Sequence, residues 1–250
     1  MRVLVSAGAV LCVLATAVGI EAPARAAAEV ERFVIGESAD GRAIVALHRP
    51  GAKVVDADEH DTRRRNTVLV VGSMHGDEKA GRAVVARLRD APVPAGTDLW
   101  LVSTLNPDGN QADRRTNARG VDLNRNFPRR WRPAGGGTTT YSGPSPASEP
   151  ETQALMDFVR AHDVRTTVVL HQPLFGVDSY RAKSPRLVRD LARRSGLPLA
   201  AFDCSGGCHG TFTDWANDRT PGRAVTVELG RSPTRSRLDR VATAVLRATR

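Results

Sequence analysis

Cysteine is scarce in this chain, and long apolar runs are scarcer. Three cysteines in 250 residues are too few for a disulfide-built scaffold, and one of them, Cys12, falls inside the first apolar stretch. Beyond that stretch no segment stays apolar for the roughly twenty residues that a membrane helix needs. Zinc-finger spacing, an RNA-binding aromatic signature and a basic-helix pattern are all missing, which leaves no sequence basis for a nucleic-acid partner. There is no internal repeat and no linker after the first stretch, so one domain is expected.

The N-terminus carries the features of a secretory signal. Arg2 supplies the positive start, residues 3–20 are almost wholly apolar, and Ala24-Arg25-Ala26 offers small residues for cleavage. The Ala-rich exit and the lack of a charged stop-transfer flank favour removal over membrane anchoring. The expectation is a signal peptide at 1–26 and one domain at 27–250, secreted to an extracytoplasmic space such as a cell wall or periplasm, with no stable membrane anchor. Two cysteines then remain, Cys204 and Cys208. An oxidising compartment favours a disulfide between them, while metal ligation together with His209 is the competing reading. The formal charge is +9, and +8 without Arg2, Glu21 and Arg25. That balance suits anionic surroundings, but its arginines are spread singly over many segments, which reads as a solvated basic surface.

Apolar–polar alternation from Arg32 to Pro50 around Asp40-Gly41 predicts a β-hairpin. Thr67–Val71, Leu99–Leu105, Thr166–Leu170 and Ala224–Val227 read as buried strands, and Asp56–Arg65 as a surface loop. Helices are predicted from Glu78 to Leu88, from Ser148 with a Ser148/Glu151 capping box, from Pro185 to Ser195 closed by Gly196, and from Arg237 to the C-terminus. Strands alternating with helices imply an α/β fold with a mixed, largely parallel central sheet and helices on both faces. The stretch 106–147 is long, polar and rich in Gly and Pro, and such a segment inside a compact domain is usually functional.

Three of the strand runs lead to residues able to bind a metal or move a proton: His75, His171 and Glu228. The carboxyl ends of strands in an open α/β sheet are where ligands bind. His75 and Glu78 stand three apart and His171 follows much later; two imidazoles and one carboxylate make a catalytic zinc set that leaves a fourth position for water. Zinc lowers the pKa of such a water to about 7, and Glu228 is then placed to take its proton and pass it to a leaving amine.

Met74-His75-Gly76-Asp77-Glu78, Asp122-Leu123-Asn124-Arg125-Asn126-Phe127-Pro128, Val168-Val169-Leu170-His171 and Thr226-Val227-Glu228-Leu229 together resemble the zinc carboxypeptidases of the carboxypeptidase A type, the M14 family. The resemblance runs from Gly41-Arg42 to Glu228. It implies a zinc metallopeptidase holding one zinc through His75, Glu78 and His171, with Glu228 as general base. It further implies that Asn124 and Arg125 grip a substrate carboxylate beside the scissile bond, and that Arg115 stabilises the oxyanion. Asp122 would accept the free ring N–H of His75, fixing its tautomer. The family usually places a tyrosine before the segment that reads here Gly210-Thr211-Phe212-Thr213-Asp214-Trp215, yet no tyrosine lies between Tyr180 and Glu228; Phe202 and His209 are nearby candidates for its role. Thr213 occupies the specificity position. The resemblance is strongest to the bacterial branch with murein peptide amidases, which cut γ-D-glutamyl-diaminopimelate bonds in cell-wall (peptidoglycan) peptides. The alternatives are a protein carboxypeptidase, a zinc deacylase of the same fold, and a non-catalytic wall-binding protein.

Overall fold

The computed structural model describes residues 30–52, 66–203 and 208–249. The signal segment, the charged run Asp56–Arg65 and Cys204 lie outside the described residues. An antiparallel hairpin leads the described chain: β1 (Glu31–Glu37) and β2 (Ala43–Pro50) are joined through Gly41 at φ 76°. Two strand–helix units follow. β3 (Asn66–Val71) leads to α1 (Ala80–Asp90), and β4 (Thr97–Val102) to the short α2 (Pro107–Gln111). After a single 3-10 turn at Leu123–Arg125 come α3 (Pro150–Ala161), β5 (Thr166–His171) and β6 (Phe175–Asp178). The chain continues through α4 (Pro185–Ser195), β7 (Leu199–Ala200), α5 (Phe212–Arg219), β8 (Arg223–Leu229) and α6 (Arg235–Ala248).

The eight strands of the described residues form one sheet in the order β1-β2-β4-β3-β5-β8-β6-β7. Its centre, β4-β3-β5-β8, is parallel, and antiparallel pairing flanks it at β1-β2-β4 and at β8-β6. The expected mixed, largely parallel sheet is the one found. Val68 and Val70 of β3 pack with α1, α4 and α6, while Leu69 and Val71 pack with α3 and α5 on the other face. Burial on both faces is why these strands read as unbroken apolar runs rather than alternating ones. Each such side chain contributes about 1.5–3 kcal/mol from burial alone. Among the described residues, no helix is long and apolar enough to cross a membrane.

Two local expectations change. Glu78 lies in the loop before α1, not in the helix. The Ser148/Glu151 capping box does not form: Glu149 is the N-cap residue and makes no side-chain cap bond. Ser148 Oγ instead donates to Glu149 at 2.7 Å and accepts from the Asn126 amide at 3.0 Å. Glu151, fully buried, accepts from the Ala39 N–H and from Asn117. Tertiary partners thus claim both capping groups, and the long stretch 106–147 is fastened to the start of α3. Helix α4 follows its pattern closely, with Ser184 capping Leu187 N–H and Gly196 in the left-handed region.

Glycine sets the approach of two backbones beneath the site. A Cβ on Gly81 would lie 1.6 Å from the Gly72 carbonyl oxygen, so α1 can press on the end of β3 only without one. A Cβ on Gly76 would lie 1.9 Å from the Gly109 carbonyl carbon in α2. Overpacking of this kind costs about 1–3 kcal/mol. Gly76→Ala should therefore lower the midpoint of urea unfolding by an amount equivalent to about 2 kcal/mol, with an unchanged m-value; a wild-type midpoint would show that the two backbones separate at no cost.

Candidate metal centre and catalytic cleft

The loop after β3 folds back under its own hydrogen bonds. Gly72 N–H donates to Val102 O, Leu105 N–H to Ser73 O, and Ser73 Oγ to His75 O at 2.6 Å. This fixes His75 and Glu78 over the strand ends. His171 is the last residue of β5, and it pairs in register with Glu228 on β8. Residues paired across neighbouring strands project to the same side of a sheet, so register alone brings the expected base beside the expected ligand. His75, Glu78, His171 and Glu228 are all buried.

The ligand atoms of His75, Glu78 and His171 lie within 4.8 Å of one another. Nδ1 of His75 is 2.8 Å from Glu78 Oε1, and Nδ1 of His171 is 2.8 Å from Glu78 Oε2. Nε2 of His75 is 2.9 Å from Asp122 Oδ1. With the Nε2–H donated to Asp122, the neutral His75 ring turns a lone pair, not a proton, towards a carboxylate oxygen that is also an acceptor. Only a positive charge between them relieves that pairing. Burial disfavours the His75 imidazolium, but the carboxylates of Asp122 and Glu78 outweigh it and hold the His75 pKa at about 9. Against the same penalty of burial, the histidines keep the Glu78 carboxyl well below its ordinary range, and His75 and Arg115 do so for Asp122. A buried set of two imidazoles and one carboxylate fits zinc, whose charge would take the place of the His75 proton.

Asp122 is the second support the resemblance implied. Its Oδ1 also accepts the Asn124 N–H at 2.9 Å, and its Oδ2 takes Nε and Nη2 of Arg115 at 3.0 and 2.8 Å. Arg115 Nη1 then lies 3.2 Å from His75 Nδ1 and 3.4 Å from Glu78 Oε1, at the mouth of the centre. Asn124 is oriented by its own Oδ1, which accepts the Phe212 N–H at 3.0 Å, leaving Nδ2 3.5 Å from His171 Nε2. Arg125, half-buried, donates to the Asn124 carbonyl at 2.8 Å and has its pKa lowered by burial. Glu228 Oε2 accepts the Leu174 N–H at 3.1 Å, and burial raises its pKa.

His75, Glu78, Arg115, Asn124, Arg125, His171 and Glu228 line one cleft of about 190 Å³, with Asp122 buried behind it. Thr213 also lines it, with Oγ1 2.8 Å from Oγ1 of Thr226, a residue on the same face of β8 as Glu228. Of the two candidates for the missing tyrosine's role, Phe202 lines the cleft. His209 is buried without lining it, and its Nδ1 makes no hydrogen bond among the described residues. Cys208 lies at the cleft wall, whereas its expected partner Cys204 is outside the described residues. Sequence reasoning missed Gln172, whose N–H donates to Glu78 Oε2 and whose side chain links Ala80 N–H to the carbonyls of Gly230 and Arg231. Its place beside His171 was the only available signal. It missed Arg130 and Asp214 as well, a cleft ion pair at 2.5 Å between residues far apart in sequence.

Residues 21–173 match the family model for zinc carboxypeptidase, a match that ends before Glu228. Murein peptide amidase A of Escherichia coli K12 is 32% identical over 169 residues, covering 62% of this chain and 67% of that protein. Rat carboxypeptidase D is 30% identical over 177 residues, 56% of this chain but 12% of its own length. The crystal structure of the murein-tripeptide amidase of Escherichia coli O157 superposes with a TM-score of 0.66 at 26% identity, over 87% of this chain and 91% of that one. Carboxypeptidase A of Helicoverpa armigera shares the fold, with a TM-score of 0.71 at 16% identity over 88% of this chain and 68% of its own. A family match over more than half of its residues, on a fold that carries a buried His-Glu-His centre at its strand ends, places this chain in the zinc carboxypeptidase family of zinc-dependent hydrolases.

Proposed function

We propose that this protein is a secreted murein peptide amidase that hydrolyses the amide bond between γ-D-glutamate and diaminopimelate in cell-wall peptides. The observation that carries the reading is the pairing of Glu228 with His171 beside the buried His75–Glu78–His171 set. The likeness to murein peptide amidases, which extends over two thirds of their length, supports the choice of substrate. The apolar N-terminal stretch supports export, with residues 1–26 as signal and 27–250 as the catalytic domain.

Held by His75, Glu78 and His171, a zinc ion supplies Lewis acidity, which acidifies water and polarises a carbonyl. The rest of the chemistry is assigned to side chains. The Leu174 N–H occupies Glu228 Oε2, so Oε1 takes the proton of the attacking water. As the C–N bond breaks, that proton passes to the leaving amine. The raised pKa of Glu228 suits it to hold the proton between the two events. Arg115, anchored on Asp122, points Nη1 at the place where negative charge develops on the carbonyl oxygen. Arg125 presents a guanidinium fork, and Asn124 an amide, to the carboxylate beside the scissile bond.

Variants at the metal centre and in the cleft, together with the exported protein itself, test this reading. Metal analysis of His75→Ala and His171→Ala should show loss of bound zinc, and full retention in both would overturn the ligand set. Glu228→Gln should keep zinc and substrate affinity while turnover falls by at least about a hundredfold; Arg125→Ala should weaken a free-acid wall peptide far more than its amidated counterpart. Wild-type turnover in the first variant, or equal losses on both substrates in the second, would remove the corresponding role, and product masses from defined wall peptides identify the bond cut. Protein recovered from culture medium should begin near Ala27 and show no reactive thiol when denatured without reductant; an intact leader, or two titratable thiols, would overturn export or the Cys204–Cys208 bridge.

A further inference from the structure

The arginines that look scattered along the sequence are gathered by the fold. Helices α1, α4 and α6 lie side by side on one face of the sheet, α6 between the other two. Together they carry eleven arginines against three aspartates, a net charge of +8. On the opposite face α3 and α5 carry −2. Among the helices, the basic excess therefore sits on one face, whereas a merely solvating surface would intersperse the two signs.

The three aspartates are already engaged. Asp190 pairs with Arg193 and Arg194, Asp239 with Arg87, and Asp90 with Arg89. Arg186, Arg189, Arg235, Arg240 and Arg247 are exposed and make no ion pair or hydrogen bond among the described residues. Between α4 and α6 runs a groove of about 380 Å³ lined by Arg194, Arg240, Arg247 and Ser236, with Asp239 turned to Arg87. A linear chain carrying regularly spaced negative charges fits that groove, and guanidinium groups pair with phosphate oxygens in two places.

We propose that the α4/α6 groove and its flanking arginines bind a polyol-phosphate polymer of the cell wall, so that the enzyme is held on the wall by a face separate from its cleft. Two features favour this occupant. None of the exposed large hydrophobic residues lies on α1, α4 or α6, so an interfacial bilayer contact has no apolar anchor there. These helices also contain no aromatic residue on which nucleic-acid bases could stack. The choice of a wall polymer rests on the extracytoplasmic reading above; the binding itself does not depend on catalysis, because none of the groove residues lines the cleft.

The test uses the mature chain and fluorescently labelled poly(glycerol phosphate), with single-stranded DNA, duplex DNA and anionic vesicles in parallel. Binding to the polymer should weaken roughly a hundredfold between about 50 and 200 mM salt, as release of counterions from about five phosphates requires. The triple variant Arg194→Glu/Arg240→Glu/Arg247→Glu should lose at least tenfold in affinity while unfolding at the wild-type temperature and cleaving a small soluble wall peptide at the wild-type rate. Glu228→Gln should bind the polymer as wild type does, whatever its turnover, which separates this proposal from the catalytic one. No polymer binding, undiminished binding by the triple variant, tighter binding to DNA or vesicles, or loss of binding in Glu228→Gln would each overturn it.

Discussion

Four charged side chains, Glu78, Asp122, Arg115 and Glu228, are drawn out of water at the carboxyl ends of three parallel strands, and the rest of the site is arranged around the cost of doing so. An isolated buried charge costs several kcal/mol. Here each carboxylate meets that cost with a named partner. Glu78 faces two imidazoles, Asp122 takes His75 on one oxygen and Arg115 on the other, and Glu228 accepts a backbone N–H. A positive charge between His75 and Glu78, a proton or a metal ion, completes the arrangement.

Rigid packing keeps these groups where they are. The close contacts at Gly81 and Gly76 bring α1 and α2 against the loop that carries His75 and Glu78. Buried amides hold the long polar stretch in place: Asn117 bonds Glu149 and Glu151, and Asn126 bonds the carbonyls of Ser142 and Ser145. Asp122, Asn124 and Arg125 sit within that stretch, so its lack of regular structure does not mean lack of order. A polar network of this kind is stable only when every member is satisfied, and this explains why the segment takes up the capping groups of α3.

The division between the two faces extends the same logic to the surface. One side of the sheet carries the cleft wall formed by α5, and the other gathers eleven arginines against three aspartates on α1, α4 and α6. Catalysis and attachment to a polyanion thus make no competing demands on the same residues.

Much of this was legible in the chain itself. Apolar runs announce β3, β5 and β8 because both faces of those strands are buried, Gly196 marks the end of α4, and the residue types at 75, 78, 171 and 228 declare their chemistry. The short β6 and β7 and the helix α5 escaped, since runs of two to four residues carry no periodicity, and α5 is held by long-range contacts of Phe212 and Trp215 with Phe127. The capping box was misread because propensity counts only neighbours in sequence, whereas Asn126 reaches Ser148 through the fold. Register decides that Glu228 stands beside His171, and sheet order decides that eleven separate arginines share one face. Local pattern determines which segments are strands and helices and which residues can do chemistry. Who meets whom is set by pairing between strands far apart in sequence, and no local propensity encodes it.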